Sequence, residues 1–172
     1  MPMTMERAQV TLPSEREVKV TRSFKAPRPL VYRAYTEPTL VRRWLLGPPG
    51  WSMPVCEMAT HVGGKYRWRW RDNESGQEFG FTGEMLEVAL HSKIVHTQIY
   101  DPGDGDFGSM GDEPTIITVT FNETNGITNV ATSIKYASKA DRDAAMSTGM
   151  TDGMEMSYQA LDGVLAAREK LR

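Results

Sequence analysis

Over residues 148–171 the apolar positions recur at helical spacing. Met150, Met154, Leu161, Val164 and Leu165 fall on one stripe, which Met146 extends upstream, while Asp152, Glu155, Gln159, Asp162, Glu169 and Lys170 fall opposite. A period near 3.6 with one apolar stripe predicts an amphipathic helix with a single buried face. Ser157 interrupts the middle of the stripe and Gly153 its margin. Either Ser157 returns its hydroxyl to a carbonyl one turn back and Gly153 permits close packing, or large side chains are absent because a guest takes the space. The pattern leaves both readings open.

Ahead of this helix the period changes to two. Residues 1–16 are polar and proline-punctuated and read as a loose arm, leaving 17–172 as a single domain. A strand is predicted over 17–25, where Val18, Val20 and Arg22 alternate with Lys19, Thr21 and Ser23. Pro27 and Pro29 end it and open a helix carrying Leu30, Val31, Ala34 and Tyr35, which Pro38 stops. A second short helix over 39–46 turns Leu40, Val41 and Trp44 inward before GPPG at 47–50. Strands follow over 53–60, 65–72, 77–88, 93–100, 115–122 and 127–136. Gly63-Gly64 marks a bulge or tight bend, and Asn125-Gly126 is a hairpin turn. In KYRWRWRD (65–72), Tyr66, Trp68 and Trp70 share one face and Arg67, Arg69 and Arg71 the other, which predicts a strand with an aromatic inner face and a solvated outer one. Ser138 with Asp141 reads as a cap opening a short helix to Met146. The order is strand, two helices, a run of strands, then a long helix. It predicts an α+β fold, a curved antiparallel sheet wrapped around the C-terminal helix, with a wedge between them.

Bulk properties narrow the function classes. A chain of 172 residues suits one core, and a formal charge of −2 gives no basic footprint for nucleic acid. One cysteine, Cys56, rules out an intramolecular disulfide and a cysteine-rich zinc site. It sits in a strand with no activating base nearby and reads as a small buried hydrophobe. No apolar run is long enough for a membrane span and no signal-peptide core opens the chain, so a cytoplasmic location is expected. His61, His91 and His96 lack metal-ligand spacing, no cofactor motif is present and no catalytic constellation can be read.

The residues also carry a resemblance. TRSFKAPRPLVYRAYTEPTLVRRWLLGPPGW, with F-x-A-P at 24–27 and T-E-P…W at 36–44, then HVGGKYRWRW at 61–70 and GMTDGMEMSYQALDGVL at 149–165, resembles the SRPBCC (START-like, helix-grip) superfamily. The branch is that of the activator of the 90-kDa heat-shock-protein ATPase and of calicheamicin-resistance-type proteins. The resemblance implies the helix-grip fold. It does not decide function, because such proteins include ligand carriers, co-chaperones, resistance proteins and some cyclases. Members often show an acid and an arginine before the double glycine, where this chain has Ala59 and His61.

Two roles follow. The first is binding of a hydrophobic or aromatic small molecule in the wedge. Tyr66, Trp68, Trp70, Phe79 and Phe81 would line it from the sheet, with Met150, Met154 and Tyr158 from the helix. His96, Gln98 and Ser157 would be sparse polar points, and Gly153 would leave room, a composition typical of small-molecule sites. The second is a protein-interaction module stimulating a chaperone ATPase. A homodimer is compatible with either. The glycine- and acid-rich segment 101–114 is expected to close over a guest through Phe107 or Met110.

Overall fold

The computed structural model describes residues 7–101 and 114–167. Its elements are, in chain order, β1 (Gln9–Thr11), β2 (Glu17–Phe24), α1 (Arg28–Thr36), α2 (Pro38–Trp44), β3 (Trp51–Met58), β4 (Lys65–Asp72), β5 (Glu78–Ala89), β6 (Lys93–Asp101), β7 (Thr115–Thr124), β8 (Ile127–Lys135), α3 (Lys139–Met146) and α4 (Met150–Ala166). The strands form one sheet in the order β1-β2-β8-β7-β6-β5-β4-β3, antiparallel throughout. This is the α+β helix-grip architecture. The segment 102–113, with Phe107 and Met110, lies outside the described residues, as do Glu169 and Lys170.

Local chemistry explains the punctuation. Pro38 forces the preceding Glu37 into an extended conformation (φ −92°, ψ 117°), so one residue ends α1 and starts α2. Asn125 and Gly126 both take positive φ, 53° and 78°, as a tight hairpin turn between β7 and β8 requires. Ser138 accepts the Asp141 N–H at 3.1 Å and caps α3. On the edge strand β3 the register slips between Ser52 and Val55, around Pro54, which has no N–H to give the ladder.

Two sequence expectations need correction. Within the segment read as a loose arm, Gln9–Thr11 pairs with β2. On α4, Glu155 lies on the polar face yet is buried, because Arg22, the third inward position of β2, reaches across to it.

That pairing anchors the helix. Arg22 Nε and Nη2 donate to Glu155 at 3.3 and 3.2 Å. Its Nη1 and Nη2 donate to Asp162 at 2.9 and 2.8 Å, and Nη1 also donates to the Ser23 carbonyl at 3.2 Å. Those bonds engage all five guanidinium N–H groups. Glu155 also accepts from the Ala8 N–H at 2.7 Å and from Gln159, which ties the chain ahead of β1 to α4. Burial alone would lower the guanidinium pKa, but the two carboxylates outweigh it and raise it.

The core is shared unequally. Val18, Val20, Phe24, Val31, Phe121, Val130 and Leu161 are essentially inaccessible and join the sheet to α1 and α4. Among the described residues the backbone of α1 approaches β7 and β8, that of α2 approaches β3, and that of α4 approaches α2 and β2. β4 meets the helices through side chains: Trp70 packs in one cluster with Val41 of α2 and donates to the Leu45 carbonyl.

Candidate functional site

Strand register builds the aromatic wall. Trp68 lies opposite Phe81 and Trp70 opposite Phe79 in the β4–β5 ladder, and Phe81 lies opposite Tyr100 in β5–β6. Residues directly opposite share a sheet face, so one concave surface carries rings from three neighbouring strands. Trp68 and Trp70 stand 6.2 Å apart between centroids, Trp70 and Phe81 5.7 Å, and Phe81 and Tyr100 5.9 Å. Tyr66 and Trp70 are buried, while Trp68, Phe79 and Phe81 are half-buried and Tyr100 is exposed. Gln98 is half-buried two positions before Tyr100 on the same face of β6.

At the deep end the wall turns polar. The Tyr66 hydroxyl donates to the Thr97 carbonyl at 2.6 Å, and His96 Nδ1 lies 3.1 Å from both that hydroxyl and that carbonyl. A carbonyl only accepts, so Nδ1 carries the proton and Nε2 is left as an acceptor. Burial holds the imidazole below its ordinary 6.5, and it is neutral at pH 7. Tyr66 reaches this position because Gly83, opposite it on β5, has no side chain. A Cβ there would stand 2.5 Å from the Tyr66 ring and 2.1 Å from the Thr97 carbonyl.

The inward tryptophans differ in what their N–H groups meet. Trp44 donates to the Ala34 carbonyl at 2.9 Å and Trp70 to the Leu45 carbonyl at 2.6 Å. Trp68 Nε1 is buried and has no hydrogen-bond partner among the described residues.

The helix contributes less uniformly than its apolar stripe implies. Met150 and Met154 are half-buried and pack on the main core, and the Met150 sulfur accepts from the Tyr136 hydroxyl at 3.4 Å. Tyr158 is buried against Phe24 and Trp44, at 5.7 and 6.4 Å, and burial pushes its hydroxyl up to about 12. Ser157 accepts the Gly47 N–H at 2.8 Å instead of bonding its own helix, and a Cβ on Gly153 would meet only Pro48, at 3.9 Å. Ser157 therefore serves the fit of α4 against the 47–50 turn, whereas Gly153 leaves room there for a methyl group. Replacing Gly153 with alanine should stabilise the fold by about 0.5–1 kcal/mol, since the added methyl fits and the helix gains propensity. A lower melting temperature for this variant would show that the contact with Pro48 is tighter than the geometry gives.

The outer face of β4 also departs from expectation. Arg67 and Arg71 are exposed, but Arg69 is buried, held by Glu78 at 3.1 Å and Asp101 at 3.2 Å. Its stem crosses Gly80, where a Cβ would stand 3.0 Å from Arg69 Cγ and 2.0 Å from the Trp68 carbonyl. Near the arm, a polar hollow of about 60 Å³ is bordered by Arg7, Gln9, Thr21, Arg22, Ser23 and Asn129. Arg22 has no N–H left to offer there. Around the double glycine, backbone bonds hold the bend, His61 N–H to Ala59, Gly64 N–H to His61 and Gly63 N–H to Met85, and the His61 ring lies 3.1 Å from the Val62 carbonyl. No cluster able to hold a metal ion occurs among the described residues. Cys56 is buried, and burial pushes its thiol up, consistent with an unreactive side chain.

With the geometry in place, the comparisons are specific about family. The family model described as "Activator of Hsp90 ATPase homolog 1-like protein" matches residues 25–166. The chain belongs to this family. No curated relative matches it. Among solved structures, a protein from Rhodobacter sphaeroides is similar at 28% identity, covering 94% of this chain and 99% of its own, with a TM-score of 0.84. A Nitrosomonas europaea protein shares 22% identity over 94% of this chain and 100% of its own, at 0.77. The AHSA1-like protein from Aeromonas hydrophila shares 16% over 85% and 93%, at 0.66. The last two likenesses concern the fold. In this AHSA1-like chain no described helix is long and apolar enough to cross a membrane.

Proposed function

We propose that this AHSA1-like protein binds a small, largely apolar molecule over the inner face of β4–β6, beneath the Met150–Met154 end of α4. One observation carries the reading: the aromatic wall of Trp68, Phe79, Phe81 and Tyr100 is incompletely buried, although its rings share one face of the sheet. Small-molecule sites combine such apolar walls with a few placed polar groups, here His96 and Gln98. The guest replaces water on the rings, and each fully covered aromatic contributes on the order of 2–3 kcal/mol. A cytoplasmic place of action belongs to the same proposal. The alternative, stimulation of a heat-shock ATPase, rests on the family description alone.

The neutral dye Nile red tests the proposal. It should bind with a saturable one-to-one fluorescence increase. Phe81→Asp, which puts a charge in the wall, should weaken binding at least about tenfold, as a buried unpaired carboxylate disfavours apolar contact. Arg67→Ala, on the outer face, should leave it unchanged. Equal binding by the parent and a folded Phe81→Asp variant would exclude this surface as the site.

A further inference from the structure

Resting on the binding site just proposed, we infer that its ligand is an uncharged carbonyl compound, an aromatic or alicyclic ketone, quinone or lactone, whose oxygen accepts the Trp68 Nε1–H. The indole N–H can only donate, and it is buried without a partner among the described residues although its ring is half-open. An orphaned buried donor is costly, and the other inward tryptophans, Trp44 and Trp70, each donate to a backbone carbonyl. An acceptor brought in by the guest removes that cost at Trp68, so the preference for oxygen arises from the protein's own unmet bond.

Charge excludes the acidic alternative. Among the described residues the buried arginines are Arg22, Arg69 and Arg142. Arg22 is held by Glu155 and Asp162, Arg69 by Glu78 and Asp101, and Arg142 by Asp143 and the Ser14 carbonyl. None lies on the inner face of β4–β6, and His96 there is neutral. A carboxylate placed beside Trp68 would lose its water and gain one N–H and no countercharge, which disfavours the ionised form. Neutral His96 instead leaves Nε2 as an acceptor, suited to a hydroxyl on the same skeleton.

Calorimetric titration with fluorene, 9-fluorenone and fluorene-9-carboxylate at pH 7 tests this. Fluorenone should bind about tenfold more tightly than fluorene, the effect of one neutral hydrogen bond, and the carboxylate more weakly than either. In Trp68→Phe the first two should become equal. Equal affinity for fluorene and fluorenone in the parent, or tightest binding by the carboxylate, would overturn the carbonyl inference while leaving the apolar site standing. Retention of the fluorenone preference in a folded Trp68→Phe would overturn the assignment to Trp68. Failure of all three to bind would overturn both readings. The comparison on the parent protein decides the ligand class even if the variant fails to fold.

Discussion

Arg22→Met should lower stability by about 3–5 kcal/mol, the usual effect of breaking a buried ion pair from one side. The substitution keeps the length of the side chain, so lost packing on Phe24 and Tyr158, over whose rings the guanidinium sits at 5.1 and 6.0 Å, is small beside the electrostatic loss. What remains is Glu155, buried, and Asp162, mostly buried, with no cation between them. Adding Glu155→Gln and Asp162→Asn should therefore recover much of the loss, because the damage lies in the stranded charges.

The same triad predicts a pH dependence. For Glu155, burial alone would raise the pKa. Hydrogen bonds from Arg22, Ala8 and Gln159 outweigh burial and hold it below its ordinary 4.5. A carboxylate depressed on folding contributes stability above its unfolded pKa and loses it as pH falls through the folded value. The parent should thus lose stability progressively below about pH 4.5, whereas in Arg22→Met protonation relieves the stranded charges and the gap between the two proteins narrows. Urea denaturation of both between pH 3 and 7 measures this. A gap that does not change with pH would contradict it.

Gly83→Ala is the second large effect expected. Its Cβ would sit 2.1 Å from the Thr97 carbonyl and 2.5 Å from the Tyr66 ring, and the backbone atom cannot swing aside. The β5–β6 ladder must part or Tyr66 must leave its place, at an expected cost on the order of 3 kcal/mol. Displacing Tyr66 also breaks its bond to Thr97 and frees the His96 ring. Thermal melting reports the first consequence. The imidazole nitrogen resonances report the second, as a shift away from the Nδ1–H tautomer. A variant with parental melting temperature and tautomer would show that Tyr66 owes its position to something other than the missing side chain.

The wall of the site was the legible part of the sequence. A strict alternation such as KYRWRWRD puts Tyr66, Trp68 and Trp70 on one face of a half-buried strand, and register brings Phe81 and Phe79 opposite Trp68 and Trp70. The helix was harder to read. Periodicity sorts residues by face but does not say what each face meets, so it left open whether Ser157 turns to its own helix or elsewhere, and its hydroxyl in fact accepts from the 47–50 turn. Arg22 carried a usable signal, a charge at an inward position of an alternating strand. Glu155 carried none, since an acid on a polar stripe is ordinary until a partner 133 residues away claims it. Gly80 and Gly83 passed unremarked in the strand pattern: a glycine within a strand signals a close approach, but what approaches depends on neighbours distant in sequence.

The most direct measurement of the central claim is a two-dimensional NMR titration of the labelled protein with fluorene, reading methionine methyls and tryptophan indole N–H signals together. Binding over the inner face of β4–β6 predicts ring-current shifts of the Met150 and Met154 methyls and of the Trp68 indole. The indoles of Trp44 and Trp70, bonded to backbone carbonyls, should move far less. Shifts confined to residues on the outer face of β4, or Trp44 and Trp70 moving while Trp68 stays still, would contradict the account.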